Sequence, residues 1–295
     1  MQIKREVKFQ LLKQTTFQDI TYINVSITFY FHQRGAQMSK TIIDLSVSIR
    51  SDKPSDPPGF VPEIIYADHA AGAAQMASVF PGLSPEQLPE QEGWAVEFVK
   101  MSTHAGTHMD APYHYHSKTD DKTPAMTIDQ IPLEWCISSG VKLDFRNFDD
   151  GYIVTPADID RELDRINYTL KEKDIVLINT SAGKRFGHED YLEKGCGMGR
   201  DATLHLTKQG IKIVGTDAWS WDAPFSSTVK KFMETQDPSI IWEGHYAGST
   251  VPYCHMEKMA NLELLPSTGF TVICMPVKVH KGSAGWVRPV ALLED

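Results

Sequence analysis

Cysteine is scarce in this chain of 295 residues: four, at positions 136, 196, 254 and 274, with no Cys-x-x-Cys pair among them. That spacing excludes a disulfide framework and predicts buried free thiols in a reducing cytoplasm. A basic surface is missing too. Lysine and arginine number 29 against 38 aspartates and glutamates, a net charge of −9. Such a balance argues against a nucleic-acid partner and favours a small, neutral or weakly charged molecule. There is no run of about eighteen apolar residues, so no membrane-spanning helix is expected. The pentapeptide Gly-x-Ser-x-Gly is absent, which removes the nucleophile elbow of the serine hydrolases. The glycine-rich stretch Gly195-Cys196-Gly197-Met198-Gly199 lacks the Gly-x-Gly-x-x-Gly spacing and has no strand directly before it, so it reads as a loop and not as a dinucleotide site.

What remains is the composition of an ordinary globular protein, 41% apolar and 23% charged. Residues 1–37 lean basic and carry an unbroken aromatic and β-branched run. They read as an extension outside the native protein, or else as an added strand at a subunit contact, with Met38 opening the domain that runs over 38–295. From there strands and helices alternate: strands over 42–47, 94–101, 175–179, 211–214 and 270–279, the last broken at Pro276, and helices over 156–166 and 202–209. Thr155, Pro156 and Asp158 form a capping-box start for the first helix, and Gly210 is a stop for the second. Proline and aspartate make 51–62 a loop. The alternation describes a single α/β domain.

Four of the eleven histidines fall between residues 104 and 116. His104, His108 and Asp110 form His-x-x-x-His-x-Asp, two imidazoles and a carboxylate suited to Zn²⁺ or Mn²⁺. Gly106 between them and Pro112 after them favour a strand-to-loop turn over a regular helix. Residue 105 is alanine, so the glutamate that a zincin helix requires is absent. One loop rarely completes a metal site, and on composition alone His188, His205, His245, His255, Glu243 and Glu257 are all candidates for the remaining ligands.

The whole segment His104-x-Gly106-Thr107-His108-x-Asp110-x-Pro112-x-His114 resembles the signature of the cyclase-like metal hydrolases, a family that includes bacterial kynurenine formamidases and isatin hydrolases. The segments at 42–46, 215–222, 275–278 and 287–291 are similar to other strands of that family. The resemblance implies a compact fold of the swivelling β/β/α type, assembled as a homodimer or homotetramer. It implies His104, His108 and Asp110 as metal ligands and His114 as proton shuttle. It also implies a histidine followed twelve residues later by a glutamate to complete a two-metal site. His245 and Glu257 have that spacing, and His255 is the rival histidine.

The implied chemistry is hydrolysis, by water activated on one or two Zn²⁺ or Mn²⁺ ions, of an activated carbonyl. The substrate would be an aryl formamide such as N-formylkynurenine, which would place the enzyme in tryptophan catabolism, or a cyclic amide such as isatin. Lactone hydrolysis on the same scaffold and metal binding without catalysis are the alternatives. Trp219, Trp221 and Phe186 are the candidate aromatic lining of a substrate pocket, the two tryptophans because they follow a strand end where α/β folds place ligands. Thr107 either orients a ligand from behind or satisfies a local turn.

Overall fold

The computed structural model describes residues 40–294, Pro54 excepted; the expectation for residues 1–37 lies outside the described residues. Nine strands form the main sheet: β1 (Lys40–Asp44), β2 (His108–Asp110), β3 (Ile137–Asp144), β4 (Ile175–Asn179), β5 (Ile213–Thr216), β6 (Cys254–Glu257), β7 (Phe270–Ile273), β8 (Ala284–Trp286) and β9 (Val290–Glu294). Their order across the sheet is β1-β9-β7-β3-β4-β5-β6-β2-β8. The central four, β3 to β6, run parallel. Antiparallel strands flank them on both sides.

The apolar run of β4 explains its central place. Ile175 and Leu177 enter one core cluster while Val176 and Ile178 enter the other, so the strand is buried on both faces. The second cluster is covered by the helices Pro156–Arg165 and Arg200–Thr207, which contribute Ile159, Leu163, Ala202 and Leu206. The capping box of Thr155 and Asp158 is present, and Gly210 stands at φ +90° just past the second helix.

Some elements differ from the sequence reading. β1 ends at Asp44 because its carboxylate captures the backbone N–H and the hydroxyl of Ser46, a local turn that competes with the ladder. The strand expected over 94–101 is Val96–Lys100, and it pairs with Glu63–Ala67 in a separate two-stranded sheet. The stretch after Ile273 leaves the ladder before Pro276. Residues 225–235 form a helix, Phe225–Thr235. No helix among the described residues is long and apolar enough to cross a membrane.

Candidate metal centre

The centre is built where β6 lies antiparallel to β2. The register sets His255 opposite Asp110, Met256 opposite Met109, and Glu257 opposite His108. Side chains alternate along each strand, so the two methionines point together into one core cluster. The other four project together on the opposite face. His108, Asp110 and His255 are fully buried and Glu257 nearly so.

The loop before β2 shapes the rest. Gly106 has φ +64°, a conformation open to glycine at little cost. Its carbonyl accepts a hydrogen bond from His108 Nδ1 at 2.9 Å, which leaves Nε2 free on the inner side. Thr107 touches no ligand side chain. Its hydroxyl donates to the Lys258 carbonyl at 2.7 Å and accepts from the Val47 N–H, tying the motif loop to the ends of β1 and β6. His104 reverses the pattern of His108: its Nε2 meets the Ser283 hydroxyl at 3.0 Å and its Nδ1 faces Asp110. Pro112 opens the single helical turn Pro112–Tyr115, which brings the His114 ring back over the centre, its Nε2 3.7 Å from Asp110 Oδ2.

His245 arrives from the turn Glu243–Tyr246. Asp222 accepts hydrogen bonds from the Gly244 and His245 backbone N–H groups and, at 2.5 Å, from His245 Nδ1. That carboxylate fixes the tautomer and turns Nε2 toward Glu257. His255 is held similarly. Tyr253 donates its hydroxyl hydrogen to the Gly244 carbonyl, so its oxygen accepts from His255 Nδ1 at 3.2 Å. The His255 ring is stacked between Tyr115 and Trp221, with centroids 5.0 and 5.7 Å away.

Two groups of donors result, sharing Asp110: His245, His255 and Glu257 complete one, His104 and His114 the other, and His108 stands between Asp110 and Glu257. Around Asp110 Oδ1 lie His104 Nδ1 at 2.9 Å and His108 Nε2 at 3.3 Å, the latter also 3.4 Å from Glu257 Oε2. Around Asp110 Oδ2 and Glu257 Oε1 lie His255 Nε2, at 3.0 and 3.2 Å, and His245 Nε2, at 3.9 and 3.6 Å. Ligand atoms about 2.0–2.1 Å from a tetrahedral zinc stand about 3.4 Å from each other, so these separations suit a divalent cation. His108 Nε2 and Asp110 Oδ1 are buried with no hydrogen-bond partner. Orphaned buried polar atoms are costly, and a cation between them would satisfy both.

Electrostatics point the same way. Burial alone would lower the pKa of His108, but Asp110 and Glu257 overcome it and raise it to about 9. The same contest, won through hydrogen bonds to the same carboxylates, takes His255 to about 9. Burial would raise the carboxyls of Asp110 and Glu257, yet the imidazoles hold both well below the usual carboxylate range. The pocket therefore demands positive charge, which a divalent ion supplies. His114 goes the other way: burial, with His104 and His245 beside it, pushes it down to about 4 against the pull of Asp110.

The centre forms the floor of a cavity of about 260 Å³. His104, His114, His245 and Glu257 line it, with Trp219, Trp242, Phe60 and Phe225 as aromatic walls. Of the aromatic residues read from the sequence, Trp219 reaches the cavity. Trp221 does not: it is buried behind His255, its indole N–H on the Thr203 hydroxyl and its backbone N–H on Glu257. Phe186 packs on Tyr191, away from the cavity lining. Among the rival ligands, His205 pairs with Asp160, His188 is exposed, and Glu243 accepts from the N–H of Arg200. Both His245 and His255 face Glu257. Nothing local in the sequence pointed to Trp242, Asp56 or Lys258, and Asp222 was legible only as the last residue of the 215–222 segment, without a role.

Residues 43–223 match the family described as "Putative cyclase". A kynurenine formamidase of Maricaulis maris (strain MCS10) is 25% identical over 249 residues, which are 84% of this chain and 95% of that protein. Isatin hydrolase A from Labrenzia aggregata, bound to benzyl benzoate, superposes with a TM-score of 0.66 at 25% identity, covering 87% of this chain and 94% of the other. Isatin hydrolase A from Ralstonia solanacearum gives a TM-score of 0.68 at 19% identity, over 86% and 92% of the two chains, a likeness of fold.

Proposed function

This chain belongs to the cyclase family, and on that premise we propose that it is a metal-dependent hydrolase of C–N bonds in aryl formamides or cyclic amides. The observation that carries the reading is the pair of buried carboxylates, Asp110 and Glu257, ringed by His104, His108, His114, His245 and His255 at the floor of an aromatic cavity. His104 and His108, with Asp110, would hold one ion, and His245 and His255, with Asp110 and Glu257, a second, either zinc or manganese. When bound, such an ion lowers the pKa of water from near 16 to about 7 and polarises a carbonyl oxygen.

The chain's own residues do the rest. Asp222 and the Gly106 carbonyl lock His245 and His108 with Nε2 inward, so the donor set is formed before any ligand arrives. His114 is partly exposed to the cavity and, at about 4, is free of a proton at pH 7, the state needed to receive one from the attacking water and pass it to the leaving nitrogen. Trp219, Trp242 and Phe60 offer flat apolar surface to an aryl ring. We expect the working assembly to be a homodimer or homotetramer, a matter for light scattering.

The test is turnover by metal-replete protein of formanilide, N-formylkynurenine, isatin and a lactone. Cleavage of at least one amide, abolished by a chelator and restored by Zn²⁺ or Mn²⁺, is the expected result. Lactone cleavage alone would reassign the bond, and no turnover at full metal occupancy would end the hydrolase reading.

A further inference from the structure

Beside Glu257 the cavity wall carries a lysine that none of this chemistry uses. Lys258 and Glu257 are successive residues, and successive strand residues face opposite sides, yet both line the cavity. The backbone of Lys258 makes this possible at φ +56°, a left-handed conformation that lysine rarely adopts and that persists only where the surroundings hold it. The ammonium is almost fully buried. It donates to the His104 carbonyl at 2.9 Å, forms a short ion pair with Asp56 Oδ1, and lies 5.4 Å from the centre of the Trp219 ring. Asp56 is buried as well, and accepts further hydrogen bonds from Trp219 Nε1 and the Ser55 hydroxyl.

Lys258 is the sole lysine or arginine among the described residues lining the cavity. Without Asp56 it would be a ready anchor for a carboxylate. With Asp56 in place its charge is cancelled and two of its three donors are engaged, on Asp56 and on the His104 carbonyl. A substrate carboxylate on the Trp219 side of the cavity would find no free lysine or arginine there, and Asp56 close by. We infer that the Lys258–Asp56 pair makes the site selective for substrates whose aryl portion carries no charge, and excludes those bearing a carboxylate away from the scissile carbonyl. This deepens the hydrolase reading and rests on it for the word substrate; the charge rule itself concerns binding.

The experiment uses the full zinc-loaded chain and two probes that are not hydrolysed readily, acetanilide and 4-acetamidobenzoate, titrated by tryptophan fluorescence. Turnover of formanilide and 4-formamidobenzoate is measured alongside. The wild type is expected to bind acetanilide about tenfold or more tightly than its carboxylated partner. Asp56→Asn keeps an acceptor for Trp219 but leaves the ammonium uncancelled, and should shift that ratio toward the carboxylate by about tenfold or more. Asp56→Asn combined with Lys258→Met removes both charges at similar volume and should return the preference for the uncharged probe. If Asp56→Asn does not fold, Asp56→Ser, which also leaves the ammonium uncancelled, is measured in its place and must show the same shift toward the carboxylate. Equal or tighter binding of the carboxylated probe by wild type overturns the inference, as does an unchanged ratio in folded Asp56→Asn or a lost preference in the double variant. The predicted binding ratios without turnover of formanilide would leave the charge rule standing and count against the hydrolase reading.

Discussion

Asp217 offers a test of the fold that is independent of the metal centre. It sits just past the end of β5, about 1% exposed, with no cation paired to it among the described residues. Its Oδ1 accepts from the Thr180 N–H and hydroxyl, at 2.9 and 2.7 Å, and its Oδ2 lies 2.6 Å from the Asn179 amide. Burial dominates those hydrogen bonds and raises the carboxyl from its ordinary 3.8 to about 7. Asn179 Oδ1 is itself buried without a partner. With the Asn179 amide turned over, a protonated Asp217 can donate to that oxygen. The sign follows. A carboxyl whose pKa is raised on folding contributes stability that is complete below its unfolded value and is lost as pH rises through its folded one. Between pH 4 and pH 7 the native state therefore loses on the order of 4 kcal/mol from this group. Asp217→Asn keeps the shape and can donate to Asn179 Oδ1 through its own amide. It should leave stability near wild type at about pH 4 and raise it by a few kcal/mol at pH 8. Urea unfolding of both proteins at several pH values, taken as the difference between them, cancels the contribution of the histidine cluster. A variant less stable than wild type at pH 8, or a difference that does not change with pH, would refute the argument.

Two further predictions concern the centre. His114→Ala should retain metal content by atomic absorption while losing about 10²–10⁴ in turnover, whereas His108→Ala, which removes an inward Nε2, should lose both. Wild-type-like turnover in the first would end the shuttle role. His255→Phe keeps a ring between Tyr115 and Trp221 but removes the nitrogen facing Asp110 and Glu257, and zinc affinity, read by competition with a chromophoric chelator, should fall about 10–100-fold; unchanged affinity would remove His255 from the donor set.

The parts of this site that could be read from the chain are those the chain keeps together. His104, Gly106, His108, Asp110, Pro112 and His114 lie within eleven residues, so ligand chemistry, the positive φ of the glycine and the turn at the proline were all local inferences. Likewise β4 and the Thr155 cap announce themselves by run and spacing. His255 was legible as a candidate but not as a partner. Cys254-His255-Met256-Glu257 is four residues long, too short for alternation to stand out, and its place beside Asp110 depends on a pairing between positions 145 apart. Trp221 shows the converse error: a strand-end position suggested the cavity, but side-chain direction in a loop is decided by what it meets, here Thr203 and His255. Asp56 and Lys258 meet across 202 positions. The motif is thus local because an ion needs several donors on a rigid turn, while the cavity wall is long-range because any loop that reaches the mouth can supply it. On the proposed reading, reaction class and substrate choice are accordingly written at different distances along the chain, and two chains that share the first need not share the second.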